Sequence, residues 1–103
     1  MVLLIYSITQ SWPEDERFGL TLQTRDAACA VPVNITVGYA MEDDRELKRH
    51  LNRAIGAVAK LGCLLLLARD LEMLHVADWE RVEAMREEVN GMVWQLYNAA
   101  RAG

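Results

Sequence analysis

The chain of 103 residues holds only two cysteines, two prolines and two histidines, and each scarcity removes a class of explanation. Cys29 and Cys63 lie in apolar helical patterns without CxxC spacing, which excludes a disulfide framework and reads as small buried hydrophobes in a reducing compartment. Glu72 and His75 have the three-residue spacing of carboxylate-bridged metal sites in helical bundles, but the helix interiors offer no further carboxylates, so neither a metal nor another cofactor is expected. No GxSxG, P-loop, Rossmann glycine pattern or HExxH occurs, and neither cysteine has a histidine partner in sequence, so no catalytic residue is expected. No uncharged run reaches the roughly 18 apolar residues of a membrane span. The opening Met1 to Ile8 lacks the basic flank of a signal peptide. A single cytoplasmic domain over residues 1–103, away from membranes, is the expectation.

Charge of one sign is also short. The net charge is −4 and the pI about 5.1, which disfavours bulk attraction to phosphate backbones. Only residues 41–70 are even slightly basic, with six basic against five acidic groups.

What the chain does have is one long helical pattern from Asp44 to Asp70. Leu47, Leu51, Ile55, Val58, Gly62 and Leu65 recur at steps of three and four, which lays an apolar stripe along a helix. Arg45, Lys48, Arg49, Asn52 and Arg53 occupy its other faces in the first half. From Ala54 to Ala68 only Lys60 is charged. A helix that is apolar all round needs cover on most sides, and so small a domain supplies little, so a second copy of the chain is the expected cover.

Around it stand three further segments. Met1 to Gln10 is short and apolar and, lacking a strand partner, reads as a helix. Pro13 with Glu14, Asp15 and Glu16 suits the first turn of a second helix, which Pro32 should kink near Cys29 and Gly38 should end. Tyr39 to Asp43 is a loop, and Asp43 or Asp44 caps the central helix. Leu71 to Ala77 connects to a last helix from about Asp78 to Ala100, striped by Val82, Met85, Val89, Met92 or Val93, Leu96 and Ala100. Gly91 interrupts this stripe, either for close packing or by chance. Four helices on short connections give an all-α, antiparallel bundle with a shortened first helix.

The order Glu16-Arg17-Phe18-Gly19-Leu20-Thr21-x-Gln23, Ala27-Ala28, Pro32-x-Asn34-Ile35-x-x-Gly38, Leu51-x-x-Ala54-x-Gly56 and Leu65-Leu66-Leu67-Ala68-Arg69-Asp70-Leu71 resembles a known family. It is the four-helix-bundle family encoded in intervening sequences of bacterial 23S rRNA genes, with a more distant similarity to the accessory variability determinants of diversity-generating retroelements. The resemblance runs from Ser11 onward. It implies an up-down bundle assembling as a cyclic pentamer, without ascribed catalysis, whose retroelement relatives bind nucleic acid and a reverse transcriptase through a basic surface. The family's first helix is usually longer. Its polar Glu-Leu-Glu-Thr-Gln in the third helix is Lys60-Leu61-Gly62-Cys63-Leu64 here, so a polar seam has become apolar.

Several sets of residues are therefore candidates. Leu61, Leu64, Leu65 and Leu67, with Trp94, are the expected oligomer interface. Trp12 and Trp79 are further aromatics suited to a surface that meets a partner. Arg45, Lys48, Arg49 and Arg53 form a stripe that either tracks RNA or DNA phosphates or is a solvated face, partly neutralised by Asp44–Lys48 and Glu46–Arg49 or His50 pairs. Arg17 and Gln23 are candidates for polar contacts between helices or protomers. Asn34 should satisfy backbone groups freed by Pro32. A groove left by the short first helix, open to a hydrophobic ligand or membrane surface, is a third reading.

Overall fold

The computed structural model describes residues 1–102, with side chains through residue 100. Four helices follow one another: α1 (Val2–Thr9), α2 (Leu20–Ala40), α3 (Asp44–Asp70) and α4 (Val76–Ala102), with a 3-10 turn at Glu14–Glu16 and no strand among the described residues. Each helix packs on its sequence neighbour, and α1 also meets α4, so that α1 and α3 lie across from each other. The α2–α3 pair has the most extensive contact.

Local chemistry accounts for the starts of α3 and α2. Asp43 caps α3, its carboxylate accepting from the backbone N–H of Arg45 at 2.9 Å and of Glu46 at 3.1 Å. The second helix starts later than the Pro13 signal suggests. Pro13 heads only the 3-10 turn, and α2 begins at Leu20, whose N–H donates to the Glu16 side chain. The acidic cluster thus caps α2 from four residues upstream rather than filling its first turn.

Two further expectations for α2 are corrected. Pro32 lies inside an unbroken helix, and the helix continues past Gly38 to Ala40. The proline removes the bond its N–H would give the Ala28 carbonyl. Packing against α3 holds the helix through that gap. Asn34 donates to the Ala30 carbonyl at 2.8 Å, not to the group that Pro32 frees. Gly38 serves a close approach: a Cβ there would lie 3.0 Å from His50 Cβ and 3.2 Å from Leu47 Cδ1. Since His50 Cβ is fixed to its own helix, Gly38→Ala should push α2 and α3 apart and cost about 1–3 kcal/mol in a denaturant titration. An unchanged midpoint would mean that the two helices separate freely. Gly91, by contrast, opens on empty space, so close packing is not its reason.

The core has two parts. Ile5, Trp12, Leu20, Ala28, Leu61, Leu65, Ala68, Leu74 and Val82 form the larger one, to which all four helices contribute. Val31, Ala54, Val58 and Val93 form the smaller, beyond the start of α1. Between α1 and this second cluster, Met1, Val2, Val31, Pro32, Ile35 and Val89 line an apolar groove of about 230 Å³.

Among the described residues α3 alone is long and apolar enough, by length and composition, to cross a membrane. Its inward row of Leu51, Ala54, Val58, Leu61, Leu65 and Ala68 is fully buried against the other helices.

Candidate functional site

The outward face of α3 changes character halfway. Arg45, Arg49 and Arg53 stand exposed at four-residue steps, and Gly56, Ala59, Cys63 and Leu67 continue the same face with Leu66 beside them. One helix side therefore presents guanidinium groups over three turns and then, past exposed Lys60 on the same face, apolar groups at Cys63, Leu66 and Leu67.

In the basic half, Arg49 is already engaged. Its Nε and Nη2 donate to Glu46 Oε2 at 3.2 and 2.7 Å, and this guanidinium holds the Glu46 carboxyl below the usual carboxylate range. Arg45 and Arg53 have no acidic partner among the described residues, and neither does the half-buried Lys48; the Asp44–Lys48 pair does not form. Behind the stripe, buried His50 joins the helices. Asn34 Nδ2 is committed to Ala30, so Asn34 Oδ1 accepts from His50 Nδ1–H at 3.2 Å. Asn34 thus ties α2 to α3, a structural role.

In the apolar half the expected interface residues divide. Leu61 and Leu65 are fully buried within the chain and Leu64 nearly so, which leaves them no surface for a partner. That expectation is corrected: α1, α2 and α4 cover this row. Leu67 and Trp94 stay open, at 46% and 43% exposed, as does Leu66 at 41%. Cys63 is exposed rather than buried, because it lies a half-turn from Leu61 and Leu65. Trp94 meets Tyr97 edge-on at 5.7 Å. Trp12 is corrected in the opposite sense, from a surface aromatic to a core residue.

A family model described as 23S rRNA-intervening sequence protein matches residues 1–95. The chain belongs to that family. The match takes in α1 as well as the segment from Ser11 onward that carries the resemblance, and it ends inside α4. No curated protein matches the chain.

The remaining candidates lie apart from this face. Arg17 donates to Glu14 three residues away and sits over the Phe18 ring, while exposed Gln23 makes no side-chain bond among the described residues. Glu72 and exposed His75 flank a surface cavity of about 460 Å³ beside Arg69 in the α3–α4 connection. The described residues contain no metal-binding cluster.

Two arginines that sequence reasoning passed over do join helices of this family member. Arg25 Nε donates to Thr9 Oγ1 at 2.8 Å and its guanidinium stacks on Tyr6, which ties α2 to α1. Arg86 is clasped by both Glu83 oxygens and donates Nη1 to the Val58 carbonyl at 3.2 Å, which ties α4 to α3. The Glu83–Arg86 spacing of three was the available signal, but such a pair on a surface helix is common and points nowhere by itself.

Proposed function

We propose that this family member is a non-enzymatic, cytoplasmic helical bundle of antiparallel up-down order that works by assembling with itself into a homopentamer. The observation that carries the reading is the exposed apolar half of α3: Cys63, Leu66 and Leu67 share one outward face, which no other element covers among the described residues. Apolar surface of this kind is buried when a second copy is available. The short connections Met41–Asp43 and Leu71–His75 support the antiparallel order. The two free thiols suit a reducing compartment. The fully buried inward row of α3 supports reading that helix as a core element rather than a membrane span.

The test is native mass by multi-angle light scattering. The wild-type chain should run at the mass of a pentamer, and Leu67→Glu should drop it to a folded monomer with unchanged helicity. A wild-type monomer at every concentration sinks the reading. A second reading, a nucleic-acid or nucleoprotein accessory factor, is favoured by Arg45 and Arg53, which no carboxylate among the described residues pairs with. It requires RNA or DNA binding that weakens steeply with salt and disappears in Arg45→Glu/Arg53→Glu. No binding at low salt removes it.

A further inference from the structure

We propose that the open face of α3 docks on the outward face of α4 of the next copy, so that each interface joins two different surfaces. The docking deepens the self-assembly reading and rests on it. A face that pairs with itself closes a dimer, whereas a ring of more than two copies needs two distinct faces that fit each other. The charge on α3 also argues against self-pairing. Side by side in the same direction, two α3 helices would set Arg45, Arg49 and Arg53 on their own copies. Head to tail, they would press those guanidinium groups on Cys63, Leu66 and Leu67, which takes charge out of water without a partner.

The outward side of α4 offers the opposite sign. It exposes Glu80, Glu87 and Glu88 against Arg81 alone, and none of these acids pairs with a base among the described residues. Met92 and Trp94 stand open beyond them, at 56% and 43% exposed. On α3, Arg53 and Lys60 are likewise exposed and without an acidic partner among the described residues. The other long helix, α2, carries Asp26 as its single acid, so it cannot match the α3 charges.

The heights of these groups along the bundle also agree. Within one chain, Val82 shares a core cluster with Leu65, Arg86 reaches the Val58 carbonyl, and Val93 shares the smaller cluster with Ala54 and Val58. Residue numbers on α4 therefore rise as those on α3 fall, which sets Lys60 level with Glu87, Cys63 with Ala84 and Arg53 with Trp94. In a ring whose axis runs along the bundle, neighbouring copies keep these heights. Lys60 then meets Glu87 and Glu88, Arg53 meets the Trp94 ring, and Cys63 and Leu67 meet the stretch between Ala77 and Ala84. Gly56 lies level with Gly91, and a Cβ at either has no neighbour within 4 Å inside the chain. Two copies can approach at that height with no side chain between their backbones.

The experiment measures native mass by multi-angle light scattering over a dilution series, with far-UV circular dichroism as the check on folding. Glu87→Lys/Glu88→Lys and Arg53→Glu/Lys60→Glu each turn one face to the sign of its partner. Each pair should raise the concentration at half-assembly about tenfold or more. All of these side chains are exposed, so helicity should stay as in the wild type. The four reversals together in one chain restore opposite signs and should bring the assembly back. Asp26→Lys on α2 should leave the mass unchanged. A wild-type monomer at every concentration removes self-assembly, and this docking with it. Where the wild type assembles and Leu67→Glu dissociates it, three results would each overturn the α4 docking while self-assembly stands. They are an unchanged mass in Glu87→Lys/Glu88→Lys, no recovery with all four reversals, or dissociation by Asp26→Lys.

Discussion

Leu65→Ala should destabilise the fold by about 2–5 kcal/mol, read as a lower urea midpoint at unchanged slope. Leu65 is fully buried in the larger core cluster, which also holds Ile5 of α1, Leu20 of α2 and Val82 of α4. Its removal therefore leaves a cavity walled by several rigid elements, which cannot all move in to fill it. Domains of this size have about 5–15 kcal/mol in hand, so the variant sits near the edge of folding. Leu67→Ala, two residues on, is the built-in control. That side chain is 46% exposed, so its loss should cost the isolated bundle well under about 1 kcal/mol. If Leu65→Ala proves as mild as Leu67→Ala, the inward row is not sealed and the division of α3 into buried and open leucines fails.

The second large effect concerns the Arg86 clasp. Glu83→Ala should cost about 1–3 kcal/mol, because it strands a guanidinium whose side chain is only 16% exposed with the Val58 carbonyl as its remaining partner. The same site explains Gly62. A Cβ at Gly62 would lie 2.7 Å from Arg86 Cζ, so the glycine is the recess that the guanidinium occupies. Ala is the better helix former by about 1 kcal/mol, yet in the wild-type chain that gain is offset by pushing Arg86 off its partners. In an Arg86→Met background the recess is free, and Gly62→Ala should then stabilise by about 1 kcal/mol. A double-mutant cycle on Gly62 and Arg86 measures the coupling. Strict additivity would mean that Arg86 does not fill the recess.

These two sites differ in how far they can be read without coordinates. The step pattern through Leu51, Val58 and Leu65 is visible along the chain, and so is an aspartate cap at Asp43 or Asp44, which the structure places at Asp43, because both depend on residues a turn apart. Leu61 was equally visible as apolar, but not as inward. Where nearly every residue from Ala54 to Ala68 is apolar or small, hydrophobic spacing carries no information about which side is covered. The start of α2 was misplaced for a related reason: acidic residues beside a proline cap whichever helix follows, and Glu16 reaches across to Leu20 rather than opening a helix itself. The Arg25 tie between α1 and α2 was wholly hidden. Tyr6, Thr9 and Arg25 are ordinary residues in two separate segments and carry no motif.

By itself, then, the amino-acid sequence determined that the chain is all-helical, that one long helix spans Asp44–Asp70 under an aspartate cap, and that it belongs with the 23S rRNA intervening sequence proteins. Helix propensity, capping and periodic burial act over one or two turns, so the order of residues is enough to state them. Tertiary structure alone decided that Leu61 and Leu65 point inward while Cys63 and Leu67 stay out, and that Gly62 makes room for Arg86 and Gly38 for His50. It alone brought Arg25 of α2 onto Thr9 and Tyr6 of α1. Each of these depends on which side of a helix its neighbours approach, and that is settled by how the four helices share one core.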